Sequence, residues 1–269
     1  MKTLTIIFAT LACILSSSSC CNISSYTLDD DYDTTQFVVR TIDLANFNAI
    51  DCGGVANITY EQSNTYSIVA RSIPNVLDKT QITVKDHKLI IDQSGIHMKK
   101  MPPIFIVISM PQINSIGIGG VATFKAKEIT TDGKINIDIS GVGNVEIDSI
   151  SCAEVQLDLS GTSKIYAKIN ATNSADIDIS GAAKGNVSIK SEKLKIDSGG
   201  AVKMDFSFSG GKADVDCSGV SKINLNVNCR ELKAENSGVS KLTISGIAEN
   251  SNISSSGVSS IDTKGLNNF

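Results

Sequence analysis

Three columns of polar residues recur along the second half of the chain, and each could do chemistry. The first is acidic: Asp138, Asp158, Asp178, Asp197, Asp216 and Glu235. The second is basic: Lys164, Lys184, Lys203, Lys222 and Lys241. The third carries hydroxyls: Ser140, Ser160, Ser180, Ser218, Ser237 and Ser256. A pair of carboxylates can cleave a glycosidic bond, and rows of acidic oxygens can hold calcium. A serine attacks only when a base and an orienting group activate it. No histidine lies in the repeats, because the 2 His of the chain are His87 and His97. The acids come one per repeat, without the dense Asp/Gly pattern of calcium-binding repeats. A catalytic site should break a repeat at one spot, and no repeat is broken that way. The sequence therefore predicts no catalytic residue, no metal site and no cofactor. Two readings of the acid and lysine columns remain. They flank one turn and neutralise each other in solvent, or they form a face on which a polar glycan lies.

The 7 cysteines give no disulfide framework. Cys13 falls in an apolar N-terminal run, Cys217 at an inward position, and Cys21 and Cys52 have no evident partner. Cys152 and Cys229 occupy equivalent positions four repeats apart, about 19 Å by strand spacing, too far to bridge. His97, Lys99 and Lys100 read as a solvated insertion loop.

The columns follow from a repeat. The phrase apolar-Asp-apolar-Ser-Gly occurs as Ile137 to Gly141, Leu157 to Gly161, Ile177 to Gly181 and Val215 to Gly219. Variants end at Gly120, Gly200, Gly238 and Gly257. The eight anchoring glycines are spaced by 21, 20, 20, 19, 19, 19 and 19 residues. Apolar residues alternate before each glycine, as in Val155, Leu157 and Leu159, and after it, as in Ile223, Leu225 and Val227. Period-2 alternation rich in β-branched residues means strands with one buried face. The predicted fold is all-β: a single-stranded parallel β-solenoid, or β-helix, with coils of 19–21 residues. Eight coils would make a rod about 38 Å long. A right-handed winding is expected from the crossover preference of parallel strands.

Inward residues two before the glycine change along the rod, from Ile118, Ile139, Leu159 and Ile179 to Ser198, Cys217, Asn236 and Ser255. A polar capping end is expected there, or a stacked amide at Asn236. At the other end Ile50 to Ile58 repeats the phrase once, and 66 residues then separate Gly54 from Gly120. Asp86-His87 reads as a hairpin turn between strands. The expected organisation is a signal peptide over 1–19, an acidic tether over 20–35 and a solenoid over 36–265. Irregular, wider coils would fill 36–114 and regular ones 115–265.

Lys2, the apolar stretch Leu4 to Leu15 and the serines before Cys20 form a signal too short to span a bilayer. Cys20 reads as the lipidated residue of a bacterial lipoprotein. Net charge is −4, and only Arg40, Arg71 and Arg230 among the 24 basic residues are arginine, which argues against nucleic acid.

The start Phe47-Asn48-Ala49-Ile50, the turn Cys52-Gly53-Gly54-Val55 and the Gly-Gly-Val and Ser-Gly-Val series resemble a Bacteroidetes family known as "putative auto-transporter adhesin, head GIN domain". The resemblance covers about residues 40 to 260. It implies a β-solenoid on a lipoprotein signal, and no catalytic motif. The expected function is a non-catalytic, adhesin-like or glycan-binding lipoprotein of the bacterial outer membrane, facing periplasm or cell surface. Its partners would be the membrane, through the lipid, and a glycan or surface protein. The alternatives are a polysaccharide-degrading β-helix enzyme and a structural envelope spacer.

Overall fold

The structure, a computed structural model, describes residues 34–96 and 102–268. The predicted signal, tether and Cys20 lie outside the described residues, as do Cys21 and the cluster His97, Lys99 and Lys100. From Thr34 onward the chain is one compact unit. Its elements in order are β1 (Val38–Ile42), β2 (Ala49–Cys52), β3 (Val55–Gln62), β4 (Ser67–Ser72), α1 (Pro74–Lys79), β5 (Gln81–Lys85), β6 (Lys88–Asp92) and β7 (Ile104–Met110). They continue as β8 (Ser115–Ile118), β9 (Val121–Thr130), β10 (Lys134–Ile139), β11 (Val142–Leu159), β12 (Thr162–Ile179) and β13 (Ala182–Ser198). β14 (Ala201–Cys217), β15 (Val220–Asn236), β16 (Lys241–Ser255) and β17 (Ser260–Asn268) complete the chain.

The repeat builds a β-solenoid. From β11 to β15 each strand runs from one anchoring glycine almost to the next, so one strand makes one coil. Neighbouring coils pair in parallel and in register. Leu157 lies opposite Ile177, which lies opposite Ile196, which lies opposite Val215. The alternation sends Ile137, Leu157, Ile177, Ile196 and Val215 inward, where none retains any exposed surface. Burying each such side chain is worth about 1.5–3 kcal/mol. The residues between them face out.

The glycines close the stack for two different physical reasons. At Gly141 an added Cβ would sit 2.1 Å from the carbonyl oxygen of Gly120, and at Gly161 2.0 Å from that of Gly141. There the coils approach too closely for any side chain. At Gly219, Gly238 and Gly257 the backbone instead takes φ of 76°, 75° and 74°, the left-handed region that side chains disfavour. One hydrogen bond survives this change of turn. The residue after each glycine donates to the glycine carbonyl one coil earlier, from Val121 to Gly54 at 2.9 Å through Val258 to Gly238 at 3.1 Å.

The irregular first half is a cap, and here the structure departs from the expected wider coils. β2 lies between β6 and β8, with Ile50 opposite both Leu89 and Ile116. β3 likewise lies between β7 and β9. β2 and β3 therefore lie one coil inside the stack, and the chain then goes outward to lay β6 and β7 over them. It then returns to start β8. β5 runs antiparallel to β6, and β4 and β1 run antiparallel beyond β7. Asp86 and His87, both at positive φ, make the predicted hairpin turn, and His87 Nδ1 lies 3.0 Å from the Asn46 carbonyl. These strands and α1 cover an edge that would otherwise present unpaired backbone groups.

The opposite end is polar inside. Asn236 is buried, and its Nδ2 donates to the Ser260 carbonyl at 2.9 Å. The Ser240 hydroxyl lies within hydrogen-bond reach of Asn236 Oδ1 and of the Ser237 carbonyl, and its one proton serves either acceptor. One amide thus closes one turn, and no amide stack forms. One coil on, Ser259 and Ser255 repeat the arrangement, their hydroxyl oxygens 2.9 Å apart.

Candidate binding face

Each coil presents an approach segment before its glycine and an exit segment after it. The acid column lies on the outer side of the approach segments, where Asp138, Asp158, Asp178, Asp197, Asp216 and Glu235 are successive register partners. The column two residues earlier on the same side reads Gln156, Asp176, Lys195, Asp214 and Lys233. Two lysines of this second column neutralise two of the acids, Asp197 and Glu235. Lys195 pairs with Asp197, and Lys233 reaches Glu235 at 3.1 Å and Asp214 at 3.7 Å. Gln156 donates to Asp158 at 2.9 Å. The hydrogen bond to Asp197 raises the Lys195 pKa, and that to Glu235 raises the Lys233 pKa. In exposed positions such pairs add little to stability.

The lysine column lies on the exit segments, and the structure does not bring it to the acids. Lys164, Lys184, Lys203, Lys222 and Lys241 are consecutive register partners. Among the described residues no ion pair joins this column to the acid column. The expectation that the two neutralise each other across the turn is thereby corrected. Alternation explains why: a carboxylate two residues away on the same strand shares its face, whereas one six residues away lies beyond the turn. Lys193-Leu194-Lys195-Ile196-Asp197 already carried that signal in the sequence.

Among the described residues none of the five lysines takes part in an ion pair, although the charge of Lys164 is felt at Glu146. Lys164 lies 4.9 Å from the ring centre of Tyr166, which is itself exposed. Asp205, two residues from Lys203, accepts from Asn224 Nδ2 at 2.6 Å instead. Glu146 at the start of that neighbouring column is held by Lys125 at 2.9 Å and by Asn144. Both partners pull its pKa below the ordinary value. Bare ammonium groups at the spacing of parallel strands, about 4.8 Å, repel by up to about 0.9 kcal/mol per neighbouring pair in water.

Beside the lysines runs an exposed edge made by the residue after each glycine. It reads Val121, Val142, Thr162, Ala182, Ala201, Val220, Val239 and Val258. The valines are well exposed, Val220 at 65% and Val258 at 80%. The three middle members are small, so the edge dips where the lysine column begins. The six hydroxyls of the serine column occupy the other flank of the turn, and Ser218 donates to the Ser198 carbonyl at 3.2 Å.

No group of three or more His, Cys, Asp or Glu able to hold a metal occurs among the described residues. Cys52, Cys152, Cys217 and Cys229 are free and buried. Cys152 lies opposite Ala171, and Cys229 lies opposite Gly210, which lies opposite Ser191; between these two runs the register shifts at Asn170 to Ser174. An open depression of about 430 Å³ lies between Asn48, Asn114, Asp132 and Lys134.

With register, turn ladder and polar columns in place, the wider relationships can be weighed. The profile of the family described as "putative auto-transporter adhesin, head GIN domain" matches residues 46–205 and 186–268. The chain belongs to this family. Three solved structures share its fold. A putative adhesin from Bacteroides fragilis is 23% identical, covering 85% of this chain and 97% of that one, with TM-score 0.55. A putative lipid binding protein from Parabacteroides distasonis is 17% identical, covering 85% and 96%, with TM-score 0.66. A putative adhesin from the same species is 21% identical, covering 84% and 97%, with TM-score 0.57. No curated protein matches the chain. The family and these structures are named as putative adhesins or a putative lipid binding protein, and none of these names denotes an enzyme.

Proposed function

We propose that this head GIN protein is a non-catalytic, lipid-anchored component of the bacterial outer membrane that binds an extended glycan or surface protein along its solenoid. One observation carries the reading. Two outward columns, the acids from Asp138 to Glu235 and the lysines from Lys164 to Lys241, keep their residue type coil after coil and in register, which suits a repeating ligand better than a small one. The family's adhesin description favours the same reading. Cys20, behind the apolar stretch Leu4 to Leu15, supplies the anchor.

A lipid-binding role, the description given to one structural relative, has less support. The interior is filled by Ile, Leu and Val with no exposed surface. The open depression is lined by polar residues, whereas an acyl chain needs an apolar cavity.

The test uses cells lacking the protein, cells expressing the full chain and cells expressing Cys20→Ala. Adhesion to glycan-coated surfaces should require the full chain and fail with Cys20→Ala, which should be released from membranes. Protease treatment of intact cells separates a surface position from a periplasmic one. Unchanged adhesion on deletion, with release of unsaturated or reducing sugar by the purified chain, would favour an enzyme. Unchanged adhesion with no such activity would favour a spacer.

A further inference from the structure

The lysine column is a straight row of like charges that the protein leaves unpaired, although it pairs lysines elsewhere. Lys125, Lys195, Lys212 and Lys233 all meet carboxylates. Among the described residues Lys164, Lys184, Lys203, Lys222 and Lys241 form no ion pair. Lys184, Lys203, Lys222 and Lys241 are exposed, so burial does not exclude a partner. The arrangement raises the self-repulsion of the folded state, and an anionic partner of matching periodicity would remove it.

We propose that this column is a binding rail for an extended anionic polysaccharide, a polymer of uronic-acid or sulfated sugars lying along the solenoid axis. The inference rests on the glycan-binding reading above and names the polymer class and the residues. Charge recurs once per strand spacing, about 4.8 Å, and an extended sugar chain bearing an acidic group on successive units offers charges at a comparable step. The edge beside the first three lysines is made of Thr162, Ala182 and Ala201, which leaves room for a chain to lie close. Tyr166 offers an exposed ring next to Lys164, an amphipathic surface of the kind on which a sugar ring packs. A nucleic acid fits less well, given the net charge of −4 and the near absence of arginine. A membrane fits less well too. The apolar edge is interrupted beside the rail, and there is no Trp to anchor an interface.

The experiment measures binding of the full chain to polygalacturonate, with neutral dextran and phosphatidylglycerol vesicles as comparisons. The key variant is the triple substitution Lys184→Gln, Lys203→Gln and Lys222→Gln. Polygalacturonate should bind and dextran should not. Binding should weaken at least about tenfold when salt rises from about 0.1 M to about 1 M, which shortens the screening length from about 10 Å to about 3 Å. The triple variant should lose at least about tenfold in affinity, because charge neutralisation supplies such binding. It should melt no lower than the parent, which excludes misfolding as the cause. Lys203→Arg should keep binding, and Asp138→Asn with Asp158→Asn and Asp178→Asn should not weaken it. Three results would overturn the inference: no binding to polygalacturonate, binding indifferent to the lysine triple, or binding to vesicles alone. If any of these occurs while the deletion strain still loses adhesion, only the rail is refuted. If adhesion is also unchanged, the adhesin reading falls with it.

Discussion

The side-chain carbonyl of Gln93 accepts a hydrogen bond from the backbone N–H of Val55 at 2.7 Å, in the place that a glycine carbonyl fills for every later coil. Val121 donates to Gly54, Val142 to Gly120, Thr162 to Gly141, and so on along the stack. The first turn of the phrase has no earlier glycine to lean on. A buried glutamine takes that role, steadied by its own donation to Thr80 Oγ1 at 3.1 Å.

Replacing this glutamine tests how much the first turn depends on it. Gln93→Leu leaves the Val55 N–H without a partner, and a buried unsatisfied donor costs about 1–3 kcal/mol. Urea denaturation should show a loss of that size. Amide exchange at Val55 should accelerate more than at Val142. Equal protection at Val55 in variant and parent would refute the capping role.

The glycine ladder makes a sharper contrast. An added Cβ at Gly161 would meet the Gly141 carbonyl oxygen at 2.0 Å, whereas at Gly199 its nearest neighbour is Ser218 Oγ at 3.6 Å. Gly161→Ala should destabilise by about 3 kcal/mol or more, because backbone on two coils must shift. Gly199→Ser, which restores the residue found in six of the other seven copies, should fall within about 0.5 kcal/mol of the parent. Thermal melts of the two variants decide the matter.

Thiol chemistry should report burial directly. Desolvation raises the pKa at Cys52 and Cys229, and pushes Cys152 to about 11 and Cys217 to about 12. The thiolate is the reacting species, so a raised pKa keeps these groups inert at pH 8. Iodoacetamide should leave all four positions unmodified in the native chain and label them after unfolding, as read by peptide mass spectrometry. Native labelling at Cys217 would contradict its place inside the stack.

The pair Lys125–Glu146 carries a predictable pH dependence. Lys125 and then Asn144 lower the Glu146 pKa in the folded state. A depressed folded pKa adds stability above the unfolded value, and that contribution is lost as pH falls through the folded one. The stability difference between parent and Lys125→Gln should therefore be present at neutral pH and vanish in acid below the ordinary carboxylate range. It should not exceed about 1 kcal/mol, since both groups are partly exposed. A difference that grows on acidification would show that the pair is misassigned.

Coil, turn and inward column were legible in the sequence because they depend on spacing alone. Eight glycines at near-constant intervals and alternation around them fix which side of each strand is buried, as Leu157 and Ile177 show. Chain direction is not encoded that way. The alternation of Tyr66 to Arg71 looks the same whether the strand runs with the stack or against it, so the doubling back of the first half stayed hidden. The candidate face was legible as two charged columns but not as a pairing pattern. Six residues separate Asp158 from Lys164 along the chain, and the turn between them keeps them apart. Lys195 and Asp197, only two residues apart on one strand, share a face.

The register of β12 to β15, in which each strand pairs with its two neighbours, makes length a quantised property of the molecule. A duplication of residues 201–219 would insert one complete step, about 4.8 Å, and leave the Gln93 cap and the Asn236 end as they are. It would also add one lysine to the row. A gain or loss of nineteen codons is therefore a mild event for this chain, whereas one of ten would set every glycine that follows about half a coil out of step with the ladder before it. Relatives are expected to differ in size by whole coils, a yardstick cut to length by the genome.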